Sequence, residues 1–371
     1  MAHLYGQDIG DVALFFHRNF VKDKVVDLTR DYRKWEIAEE FNNRVKMVSK
    51  DAKDFRFPLM VGGYDNGQDD AFYQPDSYTR ENLGLDGVSY FYMYKSGWIV
   101  DRREPGYPRG ASALQIVDHF KLQRQNMYNQ WFARQQRYKW TLPTAPNVGT
   151  SGAVKPNSVN YFIVQSTTRA VGPNGGHPSG YSAVTGNSRT TYPQTKNYTG
   201  TYASVSHTDF CMQLSEMIDK MQWVAPRAES LESMPTLDYE ITSTYAPFAE
   251  YQTLATSSNT DIGADMGKYR GKVPAGSQTF RGITWNWSDT LTSQYLQDGV
   301  TANTAYDAND PVYCLDKSTW TIYAAEGFWM LEGPPTAQDS SHNTYANPFD
   351  AIYNRVCDNP RGNGVLRRYT S

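Results

Sequence analysis

The longest helical pattern in this sequence runs from Ala111 to about Trp140 and constrains the fold more than any other feature. Its large apolar side chains recur on one side of a helix that turns roughly 100° per residue. Neither Pro nor Gly interrupts the run, and the Pro-containing stretch 142–146 ends it. The sequence therefore predicts one long, uninterrupted helix. The side chains on that side are Ala113, Ile116, Val117, Phe120, Met127, Tyr128, Trp131 and Tyr138.

The same segment is basic. Residues 109–139 hold six Lys or Arg residues, with Asp118 as the one acid. On a helical wheel, Arg124 falls within the apolar stripe, and Lys121, Arg134 and Lys139 flank it. Basic side chains within or beside an apolar stripe more often extend their charged ends to water or form ion pairs than contact DNA. We therefore favour structural pairing over DNA contact, which stays the alternative, for Lys121, Arg124, Arg134, Arg137 and Lys139.

Two patterns precede the long helix. Residues 8–53 have helical spacing, which predicts a helix. Residues 55–109 lose that period and contain Gly-Gly, Asn-Gly and Asp-Gly turns, between which Val88–Tyr94 and Trp98–Val100 are typical of strands. We predict a long β-hairpin for this region. The apolar positions of the first pattern are Tyr32, Trp35, Ala38, Phe41, Val45 and Val48.

After the long helix, residues 147–205 are rich in Gly, Ser, Thr, Asn and Tyr, with one predicted strand at Tyr161–Gln165. A second helix is predicted at Thr208–Trp223, capped by Thr208 or Asp209. Helices and strands do not alternate regularly along the chain, so we assign the α+β class. The remaining predicted strands are Leu237–Thr242, Thr279–Trp287 and Val312–Tyr323.

The bulk composition excludes some functions. A net charge of −3 over 371 residues argues against a dedicated nucleic-acid binder. Aromatic residues make up 14% of the chain, which suits subunit interfaces and also carbohydrate-binding proteins. The N-terminal region has neither a signal-peptide nor a membrane-span pattern, so we expect a protein of a reducing cytoplasm. Three widely spaced cysteines are expected to be buried free thiols: Cys211, Cys314 and Cys357.

No motif carries a catalytic signature. The segment Gly263–Tyr269 is one residue short of a phosphate-binding loop, and GxSxG, HExxH and complete calcium-loop patterns do not occur in the sequence. Glu240 and Glu250 remain possible as paired carboxylates of a glycoside hydrolase, although nothing selects them above other acids. We therefore expect no catalytic residue, no metal site and no cofactor.

The order of the elements resembles the Hong Kong 97-type major capsid proteins of tailed bacteriophages. Residues 1–54, 55–110 and 111–145 are similar to the family's N-terminal arm, extended E-loop and spine helix. Residues 197–202, the following helix and residues 223–226 resemble the entry to the A-domain. The strands at 280–287 and 311–323 resemble late strands of the family, and residues 354–368 resemble its closing hairpin.

The resemblance implies the domain plan of that family, with an A-domain and adjoining P-domain strands at 146–345 and a C-terminal return hairpin at 346–371. It implies a shell protein that self-assembles as hexamers and pentamers into an icosahedral capsid around double-stranded DNA, made in the bacterial host cytoplasm. It also implies scaffolding, portal and decoration proteins as partners, only weak non-specific DNA contact, and no membrane. Lys95 is available as a cross-linking lysine, but no partner or catalytic acid is identified for it.

Alternate positions of a strand face one side, so the aromatic residues of the hairpin are candidates for subunit contacts. They are Tyr90, Tyr92, Tyr94 and Trp98. Packing on their own domain is the alternative. Trp285, Trp287, Trp320 and Tyr323 are expected to be packing residues. The alternative functions are an encapsulin-like nanocompartment shell and a β-rich glycan-binding module or glycoside hydrolase.

Overall fold

A computed structural model describes residues 40–41, 44–48, 54–60, 84–101, 113–143, 155–221, 238–258, 277–291, 309–334, 336–337 and 344–369. Within these ranges the α-helices are α1 (Ala113–Trp140), α2 (Val159–Phe162), α3 (Met212–Met221) and α4 (Tyr245–Ser258). The strands are β1 (Val45–Val48), β2 (Asp54–Met60), β3 (Gly84–Tyr90), β4 (Tyr92–Asp101), β5 (Tyr198–Tyr202), β6 (Tyr239–Ser243), β7 (Ser277–Phe280), β8 (Ile283–Trp287), β9 (Val312–Asp316), β10 (Trp320–Ala325), β11 (Leu331–Glu332), β12 (Thr336–Ala337), β13 (Thr344–Cys357) and β14 (Gly364–Arg368).

The chain divides into two compact units. Unit 1 comprises residues 1–50, 92–136 and 324–353, and unit 2 comprises residues 51–91, 137–323 and 354–371. Three elements contain residues of both units: α1, β10 and β13.

Unit 1 is built from the long helix and a sheet centred on β13. Strand β4 pairs antiparallel with β13, from Asp101↔Thr344 to Tyr92↔Tyr353. The short strands β11 and β12 also pair with β13. Trp131 of α1 is fully buried, with its ring 5.6 Å from that of Phe349 on β13. Stacked and edge-on aromatic rings therefore form the core of this unit.

Unit 2 contains a six-stranded mixed sheet in the order β5-β14-β9-β6-β8-β7. β9 lies near its centre, and all five of its residues are buried. Val312 and Cys314 point into one apolar cluster, and Tyr313 and Leu315 point into the other. Because successive residues of a strand face opposite sides, this sheet is buried on both faces.

Helix α3 covers one of those faces. The predicted spacing is confirmed, because the five residues that align on one side are all buried in the same cluster: Phe210, Leu214, Met217, Ile218 and Met221. β14 starts so close to this helix that a Cβ on Gly364 would lie 2.6 Å from Met217 Sδ. A side chain at position 364 would therefore require the side chains of Met217 and Met221 to move.

Several sequence expectations are confirmed. The long helix forms at Ala113–Trp140. The expected β-hairpin is confirmed in part: β2 and β3 pair antiparallel, from Asp54↔Tyr90 to Met60↔Gly84. The predicted strand Val88–Tyr94 is divided at Phe91, however, and β4, which contains Trp98–Val100, pairs with β13. Trp285 and Trp320 are buried, and Tyr323 and Trp287 pack against Phe55 and Tyr245. The mixed content of helices and sheets agrees with the α+β class.

Other expectations were wrong in the N-terminal half. Val45–Val48 is a strand rather than helix, and the Val48 carbonyl accepts a hydrogen bond from the Glu326 amide at 2.9 Å. Most of the rest of the predicted first helix lies outside the described residues. Tyr161–Gln165 is not a strand. Ser158 caps a single helical turn there, with its Oγ accepting from the Tyr161 amide at 3.2 Å.

Three later expectations also need correction. The predicted strand Thr279–Trp287 is a hairpin of β7 and β8, turned at Arg281 and Gly282. The predicted strand Val312–Tyr323 is broken after β9, where Asp316 Oδ1 accepts from the Ser318 amide at 3.0 Å. The C-terminal segment is not a hairpin, because β14 pairs with β5 and β9 rather than with β13. Helix α4 was not anticipated.

Candidate functional site

The sheet of unit 1 has two chemically different faces. In an antiparallel pair, residues directly opposite each other point to the same side. Tyr94 lies opposite Ala351 and Tyr92 lies opposite Tyr353, and these four residues are buried. The adjacent positions alternate to the other side, as the pleat requires.

The buried face packs on α1. Tyr94 and Tyr128 both make edge-on contacts with Phe349, at 6.3 Å and 5.3 Å between ring centroids. The Tyr353 hydroxyl donates a hydrogen bond to Gln135 Oε1. Ring contacts and a buried hydrogen bond thus join α1 to β13, and β4 packs on the same core through Tyr94.

The other face, which we call the open face, is defined by Met93, Lys95, Ile99, Leu331 and Asp350. Met93 is 61% exposed, Ile99 is 54% exposed and Leu331 is 44% exposed. Lys95 stands directly opposite Asp350, between these apolar side chains. Three large apolar side chains on one regular sheet face, together with one pair of opposite charges, form a surface that would gain stability if covered.

The four aromatic residues predicted as subunit contacts do not share one face. Tyr90 ends β3, whereas Tyr92, Tyr94 and Trp98 belong to β4, which begins after Phe91. Tyr92 and Tyr94 are buried against their own unit, and Tyr90 and Trp98 are half-buried. The role of subunit contact stays a prediction for all four. Tyr90 and Trp98 are the two that keep appreciable surface for it.

The basic residues of α1 have different surroundings. Arg124 Nε lies 2.8 Å from Glu332 Oε1, and the Tyr128 hydroxyl donates to the same carboxylate. Burial acts to raise the pKa of the Glu332 carboxyl, but these hydrogen bonds and the charge of Arg124 outweigh it and lower the pKa. The guanidinium of Arg134 lies over the Tyr94 ring at 5.8 Å. The side chain of Lys121 lies outside the described residues.

Arg137 and Lys139 belong to unit 2. Arg137 is half-buried, and its carbonyl accepts from the Thr141 hydroxyl at 3.0 Å. Lys139 is buried, with its amino group 5.4 Å from the centre of the Trp140 ring. Its charge acts on Glu240 of the same unit. Pairing is thus observed for Arg124, and the DNA-facing alternative for the set remains a prediction.

Glu240 and Glu250 are each engaged with a basic group. Glu240 lies 2.6 Å from Lys317 Nζ and accepts from Asn286 Nδ2 at 2.5 Å. Glu250 lies 2.5 Å from Arg368 Nη2, and Arg368 Nη1 lies 2.9 Å from Asp310. Both carboxylates therefore have structural partners, as in ion pairs that hold a sheet together.

The cysteines carry free thiols. Cys314 and Cys357 are buried, and burial raises the pKa of both thiols, while Cys211 is half-buried. Thiols with raised pKa values are poor nucleophiles. They contribute to packing in the two clusters of unit 2.

In the part of the chain that the structure describes, no helix is long and apolar enough to cross a membrane.

The chain has the fold of phage capsid proteins. It is similar to the structure of the cyanophage A-1(L) capsid asymmetric unit, with a TM-score of 0.55 and 12% identity over 95% of this chain and 98% of that chain. The capsid of a native GTA particle gives a TM-score of 0.52 and 10% identity over 96% of both chains. A structure from Mycobacterium phage Bobi gives a TM-score of 0.50 and 10% identity over 98% of both chains.

No protein-family model and no curated protein matches the sequence. The likeness to solved structures therefore rests on the fold, which the order of elements in the sequence had indicated. The open face was missed at the sequence level. Its signal is the alternation along β4, in which Met93, Lys95 and Ile99 fall between the tyrosines.

Proposed function

We propose that this chain is the major capsid protein of a tailed bacteriophage of the Hong Kong 97 type. In this proposal, copies assemble as hexamers and pentamers into an icosahedral shell that encloses double-stranded DNA. Assembly takes place in the cytoplasm of the bacterial host, with scaffolding, portal and decoration proteins as separate chains. The protein acts through the geometry of its contacts and has no catalytic role.

The observation that carries the proposal is the extent of the structural likeness. It covers 95% of this chain and 98% of the cyanophage A-1(L) chain. A likeness of that extent concerns the whole arrangement of elements rather than one shared motif. Fold alone does not establish function, so the proposal also needs a surface on the molecule that suits assembly.

The open face supplies such a surface. Met93, Ile99 and Leu331 expose large apolar areas on a sheet whose other side is fixed to α1. Covering them with a neighbouring subunit removes apolar area from water, at about 25 cal/mol per Å². A shell repeats each contact many times, so modest contacts per subunit are sufficient. Packaged DNA is contacted weakly, in keeping with the net charge of −3.

The proposal is tested by expressing the full chain, alone and with a scaffolding protein, and observing the products by negative-stain electron microscopy and sedimentation velocity. We expect closed shells or capsomers of defined size. Monomers at every concentration and in both preparations would contradict the proposal. The content of particles purified from the native source separates a DNA-filled capsid from an encapsulin-like compartment that holds a cargo protein.

Two variants connect assembly to the open face. Met93→Asp and Ile99→Asp place a charge on the open face without touching the buried face, so the folded subunit is retained and assembly is reduced roughly tenfold or more. Met212→Asp is the matched control, since Met212 is 63% exposed on α3. Circular dichroism checks that all three variants fold. Equal assembly of the open-face variants and the wild type would exclude this face as a contact.

A further inference from the structure

An unusual charge distribution surrounds part of unit 2. From residue 119 to residue 208 the sequence contains no Asp or Glu but nine Lys or Arg residues, although the whole chain has 36 basic and 39 acidic residues. The basic groups at positions 155–200 therefore have no acidic neighbours close in sequence. They are Lys155, Arg169, Arg189 and Lys196.

Arg189 is the most deeply buried of these, with 1% of its surface exposed. Nη1 donates to the Gly176 carbonyl at 2.8 Å and to Asn197 Oδ1 at 3.2 Å, and Nη2 donates to the Phe162 carbonyl. Among the described residues, no carboxylate forms an ion pair with it. Burial lowers the pKa of the guanidinium to about 10, so it remains charged at neutral pH.

The guanidinium has donors left over. It carries five N–H groups, and the three hydrogen bonds above use three of them. The remaining two are on Nε and Nη2, and Nε is buried without an acceptor in the described structure. These two nitrogens share one edge of the planar group, the arrangement that binds a carboxylate or phosphate through parallel hydrogen bonds. Arg367 and Arg368 also have a buried Nε without an acceptor, but Arg368 is paired with two carboxylates, whereas Arg189 has only neutral acceptors among the described residues.

Two further groups belong to the same cluster. Gly176 and Asn197, which accept from Arg189, are the chain neighbours of His177 and Lys196. His177 Nδ1 is buried and has no hydrogen-bond partner in the described part of the chain. Burial, together with the charges of Arg189 and Lys196, lowers the pKa of His177. His177 and Lys196 therefore lie near Arg189, on the Nη1 side of its guanidinium.

A pocket of about 80 Å³ adjoins Arg189. Thr185, Asn187, Gln194 and Thr195 also line it. The pocket is several times larger than the roughly 10–15 Å³ that one water molecule needs on the same measure, so one carboxylate or phosphate group fits. Asp358 lies at the same pocket but makes no ion pair with Arg189. The rest of the lining is largely apolar, including Phe57 and Val184, so a few hydroxyl and amide groups beside the arginine would orient a small anion.

We propose that Arg189 forms a binding site for an oxyanion, either a phosphate or a carboxylate group, in the pocket that it lines with Gln194 and Thr195. Arg189 provides two hydrogen bonds from its Nε edge, and Lys196 adds charge. The anion compensates a buried cation that otherwise has only neutral acceptors. This site is independent of the proposed function, since it is contained within one unit and requires no assembly.

The test uses the full-length protein in a buffer free of oxyanions. Inorganic phosphate, acetate and chloride are titrated at equal ionic strength by isothermal titration calorimetry, with the melting temperature as a second readout. We expect saturable binding of phosphate or acetate beyond any effect of chloride. Binding of phosphate alone indicates a phosphate source, and binding of acetate as well indicates a carboxylate. No saturable binding of either anion would overturn the proposal.

Variants locate the ion. Lys196→Gln should weaken binding about two- to fivefold, the effect of one partly exposed charge, whereas Lys155→Gln, a half-buried lysine outside the cluster, should leave it unchanged. Arg189→Lys keeps the charge but loses the planar edge, so at least roughly tenfold weaker binding is expected. If Arg189→Lys fails to fold, the comparison of Lys196→Gln with Lys155→Gln still tests whether the anion binds at this site. Equal binding by Lys196→Gln and the wild type would place the ion elsewhere and refute the site.

Discussion

Glu240 illustrates how a single buried charge is held in place. Burial alone would raise the pKa of its carboxyl, but the charges of Lys139 and Lys317 and hydrogen bonds from Lys317 and Asn286 outweigh burial and lower it. The carboxylate stands on β6 in the centre of the sheet of unit 2, between β9 and β8. Lys317 directly follows β9 and Asn286 lies on β8, so the carboxylate is held from both neighbouring strands.

We predict that Glu240→Gln lowers the free energy of unfolding at pH 7 by about 1–3 kcal/mol, because the hydrogen bonds to a charged acceptor become weaker. The pKa of Glu240 is lower in the folded chain than in the unfolded chain. Its contribution is therefore complete above the unfolded pKa and is lost as the pH falls through the folded pKa. The difference between variant and wild type should shrink below pH 4.5. Urea denaturation of the variant and the wild type at several pH values measures this difference in the free energy of unfolding.

Glu250→Gln provides the matched control. Glu250 also has a basic partner, Arg368, but its side chain is 45% exposed, so the loss should be about 0–1 kcal/mol. Equal losses for the two variants at pH 7, or a difference for Glu240→Gln that grows in acid, would contradict this account of the buried pair.

Among the elements, the β7–β8 hairpin depends on its two-residue turn. Arg281 has φ 50° and Gly282 has φ 82°, the positive values that a tight hairpin turn needs at both central positions. Nothing lies within 4 Å of a Cβ built on Gly282, so a larger residue meets no steric contact there. The requirement for glycine is purely one of backbone conformation.

We therefore predict that Gly282→Ala destabilises the chain by about 1–2 kcal/mol, the cost of a left-handed conformation for a residue with a Cβ. Gly282→Asn should cost clearly less, because asparagine tolerates that conformation. Chemical denaturation of both variants provides the comparison. If alanine and asparagine were equally tolerated, the turn would have to rearrange, and the positive φ would not be a constraint.

Elements whose pattern lies within one segment could be predicted from the sequence, and contacts between distant segments could not. The helices α1 and α3 could be predicted because each has apolar residues at helical spacing. Trp131 belongs to that pattern in α1, and Phe210 begins it just before α3. The turn at Arg281–Gly282 has one local signal, a single glycine. The β-branched and aromatic residues on both sides of it favour one continuous strand instead. The pairing of β14 with β5 and β9 could not be predicted from the sequence, because the partners of a strand depend on which distant segments are buried together.

The candidate sites differ in the same way. The alternation of Met93, Lys95 and Ile99 could have indicated the open face, but which side of β4 is buried depends on Phe349 and α1. The lack of acids between residues 119 and 208 is legible in the sequence. The oxyanion site itself is not, because the groups around Arg189 come from residues 162, 176 and 197, which only the fold brings together.

For the whole molecule, stability and association are connected. The chain has two compact units, and residues such as Met93 and Ile99 are exposed to water in the isolated subunit. If copies of the chain cover these residues in an assembly, association occurs only with the folded state. Association then adds to the stability of the fold by mass action.

We predict that the melting temperature of the full-length chain rises with protein concentration. A tenfold increase in subunit concentration adds on the order of 1.4 kcal/mol to an associated subunit, which corresponds to a rise of roughly 2 °C or more. Differential scanning calorimetry over two decades of concentration measures the effect. Met93→Asp should flatten the dependence while Met212→Asp preserves it, because only the first alters the open face. A melting temperature that stays constant for the wild type across this range would show that the folded subunit gains nothing from its neighbours.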